Sequence, residues 1–424
     1  MVKINIDRQT HIKEMIRFYN PLPLLYQIRI KLERQAVLRK LAQRFILSSH
    51  NNRLRCTRKY SIYRTGLRSS RSDLAIDFEA YRVNKISPNP LNWILVNGSS
   101  SGTTGQPIKL DRTLRDLSFE EGFQRYWRKS IGWNHFDRVA VLRGNTFKEF
   151  DRGELFYELS FAPRLYLNSY ALSQDNFDLY FDKIKEFKPK VLYCYPTTAV
   201  SLAKLIKWQQ LESIDIPLII YSSERLLEQD RVILEKVFSA KVYGWYGNGE
   251  RTTAAGQCKL GHFHFFWNYA ITQFDKDNKI ISTPTRFSSF KILNYDTGDS
   301  ARGILLDGCP CYSLEPSCSE ILGRDTEYLF KKDGTRVSFH LTQIIREEES
   351  VLNGQLVQNV DGKVVIRVEP LQSEITLNRI LNSFHRRLPD IEVEVVDCEK
   401  IERTPTGKFV SFLNNYQNSE GQTN

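Results

Sequence analysis

Ser99, Ser100, Ser101, Gly102, Thr103, Thr104 and Gly105 follow one another without a bulky side chain among them. Such a stretch can close its backbone N–H groups on an anion, and its hydroxyls add further donors. A triphosphate is the guest this chemistry suits. The loop is not a Walker A sequence, because no Gly-Lys-Ser/Thr opens a helix after it. The same composition also suits a polar surface turn. A second set of groups is Cys258-Lys-Leu-Gly-His-Phe-His264 together with Cys309-Pro-Cys311. Seven cysteines in 424 residues do not make a disulfide scaffold, and Cys and His at short spacing suit a metal better. One Cys and one His from the first segment plus both Cys of the second give a tetrahedral Cys₃His set, the closed arrangement of a structural zinc. His262 and Cys318 are reserve ligands, and ordinary buried thiols are the alternative.

The elements around these groups alternate. Trp93 to Val96 and Ile108 to Leu110 read as strands on either side of the Gly/Ser/Thr loop. Leu114 to Trp127 then reads as an amphipathic helix. Arg138–Leu142, Val191–Tyr195, Pro217–Tyr221 and Lys241–Tyr246 read as strands, with helices over Thr197–Trp208 and Leu227–Phe238. Alternating strands and helices imply α/β units and a largely parallel sheet. Ligands in such sheets bind beyond the carboxyl ends of strands. Ser222-Ser-Glu224 and Gly247-Asn-Gly-Glu250 lie just past two of these ends, so both are site candidates by position.

Beyond Ala270 the chain turns to short β-type segments, at Lys279–Ser282, Phe290–Leu293 and Glu327–Phe330. The tail is mixed, with strands at Val364–Val368 and Ile391–Val396, a helix over Thr376–Leu388, and a tight turn, Arg403-Thr-Pro-Thr-Gly-Lys408. The expected division is a basic helical arm over residues 1–75, a large domain over 76–325 and a small α+β domain over 326–424.

Hydrophobic content of 41% and charged content of 26% are those of an ordinary globular protein, and 12% aromatic residues argue against disorder. No apolar run approaches the roughly 18 residues of a membrane span. The N-terminus, with Lys3, Asp7 and Arg8, lacks a signal-peptide pattern, so a cytoplasmic protein is expected. The net charge of +11 is concentrated: residues 29–71 hold 13 Lys and Arg against one acid, Glu33, a local +12 that leaves about −1 for the remainder. A protein gripping nucleic acid through its body would carry its charge there, so none is expected as a partner. The basic block could instead touch an anionic membrane surface, or be a solvated helical arm.

Five stretches stand in one order: Ser99 to Pro107, Tyr246-Gly-Asn-Gly-Glu250, Tyr295-Asp-Thr-Gly-Asp299, Gly323-Arg324 and Pro405-Thr-Gly-Lys408. This order resembles the adenylate-forming (acyl-AMP) ligase superfamily, and within it the phenylacetate–CoA ligase and CapK branch. The resemblance covers roughly residues 90 to 412. It implies an adenylate-forming fold: a large N-terminal domain with mixed and parallel sheets, and a small C-terminal lid.

The resemblance also implies residue roles. Ser99 to Gly105 would wrap the phosphates of ATP, and Glu250 would hold Mg²⁺ against them. Tyr246 and Gly247 would lie by the adenine, with Ser223 and Glu224 at the adenine-side step. Asp299 would accept from the ribose hydroxyls with Arg324 in support, and Lys408 would reach the carboxylate and the α-phosphate oxygens. Members of this branch often carry Cys…His…Cys-x-Cys, which Cys258, His264, Cys309 and Cys311 match as zinc ligands. The chain departs from the family at the hinge, where Thr326 stands between Asp325 and Glu327. Lys109 also comes one place later than in the common form.

Three functions follow as expectations. In the first, ATP activates a carboxylic acid as its acyl-adenylate, and coenzyme A accepts the acyl group. In the second, a CapK-like enzyme of surface-polysaccharide assembly passes the acyl group to an amino sugar or another amine. In the third, the chain is a non-enzymatic module binding nucleic acid or membrane through its basic arm. Phe123, Tyr126, Trp127, Tyr195 and Trp245 could line an acid pocket or serve as core. Neither the acid nor the oligomeric state is readable.

Overall fold

The computed structural model describes residues 2–4, 94–99 and 109–416, apart from 146, 286–291, 307, 312–314, 325–327, 332, 339–340 and 405–406. The basic block of residues 29–71, the loop from Ser100 to Pro107 and Thr326 lie outside the described residues.

Strands β1 (Val2–Ile4), β2 (Ile94–Ser99) and β3 (Lys109–Thr113) come first, β1 parallel and β3 antiparallel to β2. Helix α1 (Leu114–Ser130) follows immediately. Its start is set by a capping box: Thr113 Oγ1 accepts from the Asp116 amide at 3.1 Å, and the Asp116 carboxylate accepts from the Thr113 amide at 3.4 Å. The α/β stretch comprises β4 (Val139–Arg143), α2 (Lys148–Asp151), β5 (Phe156–Glu158), β6 (Arg164–Asn168), α3 (Phe177–Phe187), β7 (Val191–Cys194), α4 (Pro196–Trp208), β8 (Leu218–Ser222) and α5 (Glu228–Phe238). Antiparallel strands follow: β9 (Lys241–Gly247), β10 (Ala254–Gln257), β11 (Phe263–Phe265), β12 (Ala270–Phe274), β13 (Lys279–Pro284), β14 (Tyr295–Leu305) and β15 (Ser317–Arg324). The tail holds β16 (Tyr328–Phe330), β17 (Arg336–Ser338), α6 (Leu341–Glu347), β18 (Val351–Gln358), β19 (Val364–Pro370), α7 (Ser373–Arg387), β20 (Val393–Asp397) and β21 (Phe412–Asn414). No helix among the described residues is long and apolar enough to cross a membrane.

These elements form two compact units, Met1–Asp137 with Tyr243–Arg324, and Arg138–Val242 with Asp325–Asn424. In the first unit the strand order is β12-β13-β14-β15-β11-β10-β9. Helix α1 lays its aromatic side against residues of this sheet region: Phe123 meets Tyr269 edge-on at 5.4 Å, and Trp127 lies 5.2 Å from Trp245. Phe123, Trp127 and Trp245 are buried, so these rings build core. The Trp127 indole N–H donates to the Gln257 carbonyl at 2.9 Å. A side chain at Gly256 would bring its Cβ to 2.3 Å from that indole, so the close approach requires glycine.

In the second unit the order β8-β7-β4-β6-β5 is parallel apart from β5 at the edge. Strands β4, β7 and β8 read as continuous apolar runs, as parallel strands covered on both faces do. Helix α4 starts at Pro196, whose missing N–H is one of the unpaired groups of a first turn in any case. The four-stranded sheet β20-β19-β18-β21 belongs to the same unit. Helices α6 and α7 cover it, and Leu356, Ile366, Val368, Ile380 and Phe384 are among its buried core.

Helix α4 meets this C-terminal sheet through polar groups. Ser201 Oγ donates to Asn353 Oδ1 at 2.9 Å, and Lys204 Nζ donates to the Val351 carbonyl at 2.6 Å. Arg346 of α6 pairs with buried Asp230 of α5 at 3.0 Å.

The β-type segment Phe290–Leu293 predicts a strand. Its described residues, Ile292 and Leu293, are irregular, and the strand begins instead at Tyr295.

Candidate functional site

The first unit brings three of the motif stretches to one place. Tyr246 stands near the end of β9, Asp299 in β14 and Arg324 at the end of β15. The Tyr246 hydroxyl donates to Asp299 Oδ2 at 2.8 Å, and the register of β14 with β15 sets Asp299 opposite Arg324. Burial, and then the Asp299 charge, hold the Tyr246 phenol well above its usual range, so it remains a donor. The Thr-Gly-Asp run is both turn and strand. Gly298 has a φ of 77°, the Asp299 amide donates to Thr297 Oγ1 at 3.1 Å, and the pairing of β13 with β14 shifts register here. This is a bulge, and a bulge re-aims the side chain that follows it.

Glu250 lies in the loop between β9 and β10. Asn248 closes that loop: its Oδ1 accepts from the Thr252 amide at 2.9 Å, and its Nδ2 donates to Thr252 Oγ1 at 2.6 Å. Arg251, with φ of 58°, turns away and pairs with Glu120 of α1 at 2.5 Å. Glu250 Oε1 is buried and has no hydrogen-bond partner among the described residues. A buried, unpartnered carboxylate oxygen is costly unless something cationic or donating meets it. It fits a hard cation such as Mg²⁺. Gly247 ends β9, and Ser99 ends β2 opposite Lys109 of β3. Ser100, Ser101, Gly102, Thr103, Thr104 and Gly105 lie outside the described residues.

The same unit gathers the sulfur and imidazole groups. One ligand atom each of Cys258, His264, Cys309 and Cys311 lies within 4.8 Å of all the others. Tetrahedral zinc at ordinary bond lengths sets its ligand atoms roughly 3.5–3.8 Å apart, so a small contraction would close the set. Cys258 follows β10, His264 sits in β11, and Cys309 and Cys311 stand between β14 and β15. Of the reserve ligands, His262 Nδ1 is 3.1 Å from Cys309 Sγ, and Cys318 is outside the four-residue group.

The second unit holds the remaining motif residues at the carboxyl ends of its parallel strands. Ser223, with φ of 73°, and Glu224 follow β8. Glu224 Oε2 accepts from the Thr197 hydroxyl at 2.8 Å and the Thr197 amide at 3.2 Å, and its Oε1 accepts from the Phe409 amide at 3.2 Å. The Lys408 turn is closed on itself: the Lys408 amide donates to Thr404 Oγ1 at 3.1 Å, and the Thr404 amide donates to the Lys408 carbonyl at 2.9 Å.

Arg403 and Arg143, which the sequence did not single out for chemistry, complete this end of the sheet. Arg403 donates to Thr198 Oγ1 at 3.1 Å and its guanidinium lies 5.5 Å from the Phe409 ring. Burial pulls its pKa down, and the Glu224 charge opposes that. Arg143 stacks at 4.4 Å on Tyr193 and 4.7 Å on Tyr195 and donates to Ser223 Oγ at 3.0 Å. Position was the one signal for Arg143, as the last residue of a parallel strand.

No family model matches the sequence, and no curated protein does. Solved structures do match it. 2-Hydroxyisobutyryl-CoA ligase in the postadenylation state, in complex with R3-HIB-AMP, has a TM-score of 0.60 at 15% identity over 82% of this chain and 80% of its own. The same ligase in complex with 2-HIB-AMP gives the same figures. In the thioesterification state, in complex with 2-HIB-AMP and CoA, it has a TM-score of 0.50 at 17% identity, over 83% of this chain and 80% of its own. The chain therefore has the adenylate-forming ligase fold, and at such identity the likeness speaks for fold alone.

Proposed function

We propose that this chain activates a carboxylic acid with ATP and passes the acyl group to coenzyme A. The carboxylate oxygen attacks the α-phosphorus, the bond from the α-phosphorus to the bridging oxygen breaks, and pyrophosphate leaves. The thiol sulfur then attacks the acyl carbon, AMP departs with the former carboxylate oxygen, and the thiol proton passes to solvent. The observation that carries this reading is the Tyr246–Asp299–Arg324 corner. There the Tyr246 phenol donates to a carboxylate on a bulged strand, and the strand register sets that carboxylate's residue opposite Arg324, so three distant stretches meet. Such a carboxylate suits a pair of ribose hydroxyls, and the Tyr246 ring beside it suits an adenine face.

In this reading Glu250 holds Mg²⁺, which supplies charge neutralisation at the phosphates when bound. Ser99 to Gly105 donate to the same phosphates, Gly247 and Ser223 border the nucleotide, and Lys408 offers its cation to the carboxylate and α-phosphate oxygens. Residues 326–424 act as the lid. Cys258, His264, Cys309 and Cys311 hold a structural zinc that ties the β10–β11 hairpin to the segment before β15. The order of the motifs supports the phenylacetate–CoA ligase and CapK branch, and an amine acceptor is the second outcome that branch allows.

Acid-dependent exchange of labelled pyrophosphate into ATP, with Mg²⁺ and a panel of short, aryl and long-chain acids, tests the first half-reaction. Exchange with at least one acid is expected, suppressed by Lys408→Ala and by Glu250→Ala. No exchange with any acid, beside salt-sensitive binding of nucleic acid or vesicles, would instead favour a module acting through its basic arm. Thioester or amide in the product then identifies the acceptor.

A further inference from the structure

The second unit ends three parallel strands side by side, with Gly144 after β4, Tyr195 after β7 and Ser223 after β8. The C-terminal segment returns to this edge and is fixed there on both sides of Lys408. On one side is Gly407, with φ of 74°; a Cβ there would stand 2.2 Å from Gly144 Cα and 2.9 Å from Gly144 N. The turn therefore lies directly on the backbone after β4. On the other side is Phe409, whose amide donates to Glu224 Oε1 at 3.2 Å.

Glu224 can hold that amide because its other oxygen is itself anchored. Thr197 is the second residue of α4, so its amide is one of the four N–H groups that a helix start leaves without partners. Tyr195, the cap residue of α4, makes no side-chain cap, and Glu224 Oε2 takes the Thr197 amide and hydroxyl in its place. A carboxylate at a helix N-terminus lies at the positive end of the helix dipole.

We propose that Glu224 is a positioning residue for Lys408: its carboxylate joins the α4 N-terminus to the residue after the lysine and so sets where the lysine stands during adenylation. This rests on the reading of Lys408 as the adenylation cation. Both oxygens of Glu224 accept from donors of its own chain, so the role assigned to it is to hold the turn.

Glu224→Gln separates the two ends of the bridge. The amide oxygen can still face the two Thr197 donors, and the amide NH₂ then opposes the Phe409 N–H. In hydrogen exchange on the full chain, followed by mass spectrometry, the Phe409 amide should exchange about 10- to 100-fold faster in the variant, the loss expected for a hydrogen bond to a charged group. The Ile366 and Val368 amides of β19, buried in the core of the same unit, should not change. With the acid that gives wild type its strongest pyrophosphate exchange, Glu224→Gln should lose a similar factor. Thioester formation from the same acid supplied as its acyl-adenylate should stay within about threefold. Lys207→Ala, which removes the ion pair between the far end of α4 and Glu349, should leave the ratio of the two half-reactions unchanged.

Unaltered Phe409 exchange in folded Glu224→Gln would overturn the proposal, as would equal losses in both half-reactions. If wild type exchanged pyrophosphate with no acid, the reading of Lys408 would fall and the catalytic part of the proposal with it. The hydrogen-exchange comparison would still decide whether Glu224 holds the turn.

Discussion

Lys204 offers a sharp physical test of how the second unit is held together. It is 7% exposed, and its ammonium donates to the carbonyls of Val351 at 2.6 Å and Glu348 at 3.3 Å. Burial lowers its pKa from 10.5 to about 8; the Asp230, Glu349 and Glu348 charges work against this drop, and Arg346 works with it. Between pH 8 and 10.5 the unfolded chain keeps the proton that the folded chain has released. The unfolded state thus binds more protons, so this residue makes stability rise with pH through that window and contributes no slope below it. At about 1.4 kcal/mol per pH unit, the full rise is on the order of 3 kcal/mol. Lys204→Met keeps most of the length of the side chain and removes the titration. Urea midpoints of wild type and Lys204→Met between pH 7 and 10 measure the difference, which cancels the other titrating groups. Wild type should gain on the variant as pH rises past 8. A constant difference, or one that shrinks with pH, would refute the reasoning.

Three further outcomes are expected. Gly407→Ala forces a side chain against the Gly144 backbone at a positive φ, so it should lower acid-dependent pyrophosphate exchange at least about tenfold. Its melting temperature should stay near that of wild type, because the turn is a small part of the unit. Tyr246→Phe removes one donor from Asp299 and should raise the KM for ATP by about tenfold, leaving the KM for the acid near its wild-type value in steady-state assays. Purification without chelator should yield about one zinc per chain by elemental analysis, and stripping it should lower the melting temperature. Cys309→Ser should lose the zinc and lower the melting temperature without a chelator; a metal-free chain of equal stability would remove the zinc site.

The parts of the fold that were legible are those whose burial is uniform. Val139–Arg143, Val191–Cys194 and Leu218–Ser222 lie inside on both faces, so their apolar runs stand out from composition. Strand β6 was not visible because its inward residues include Arg164 and Asn168. Strand β14 was hidden by Gly298, Asp299, Arg302 and Gly303, which break any alternation. Gly303 is there because a Cβ would stand 2.2 Å from Ser319 Oγ.

The site divides in the same way. Tyr246, Glu250 and Asp299 stand out as candidates in the sequence because each sits in a short polar motif beside a strand. The partners of Glu224 were not, because Phe409 lies 185 residues away and its backbone amide leaves no mark in residue type. Arg403 shows the same blindness, since its distance from Thr198 along the chain is 205 residues.

The path of a carboxylate oxygen tests the central claim most directly. The acid that supports the strongest pyrophosphate exchange, labelled with ¹⁸O in both carboxylate positions, is turned over with ATP, Mg²⁺ and coenzyme A, and the nucleotide is weighed by mass spectrometry. An acyl-adenylate predicts AMP carrying one ¹⁸O atom. Unlabelled AMP, or ADP with the label in inorganic phosphate, would contradict it.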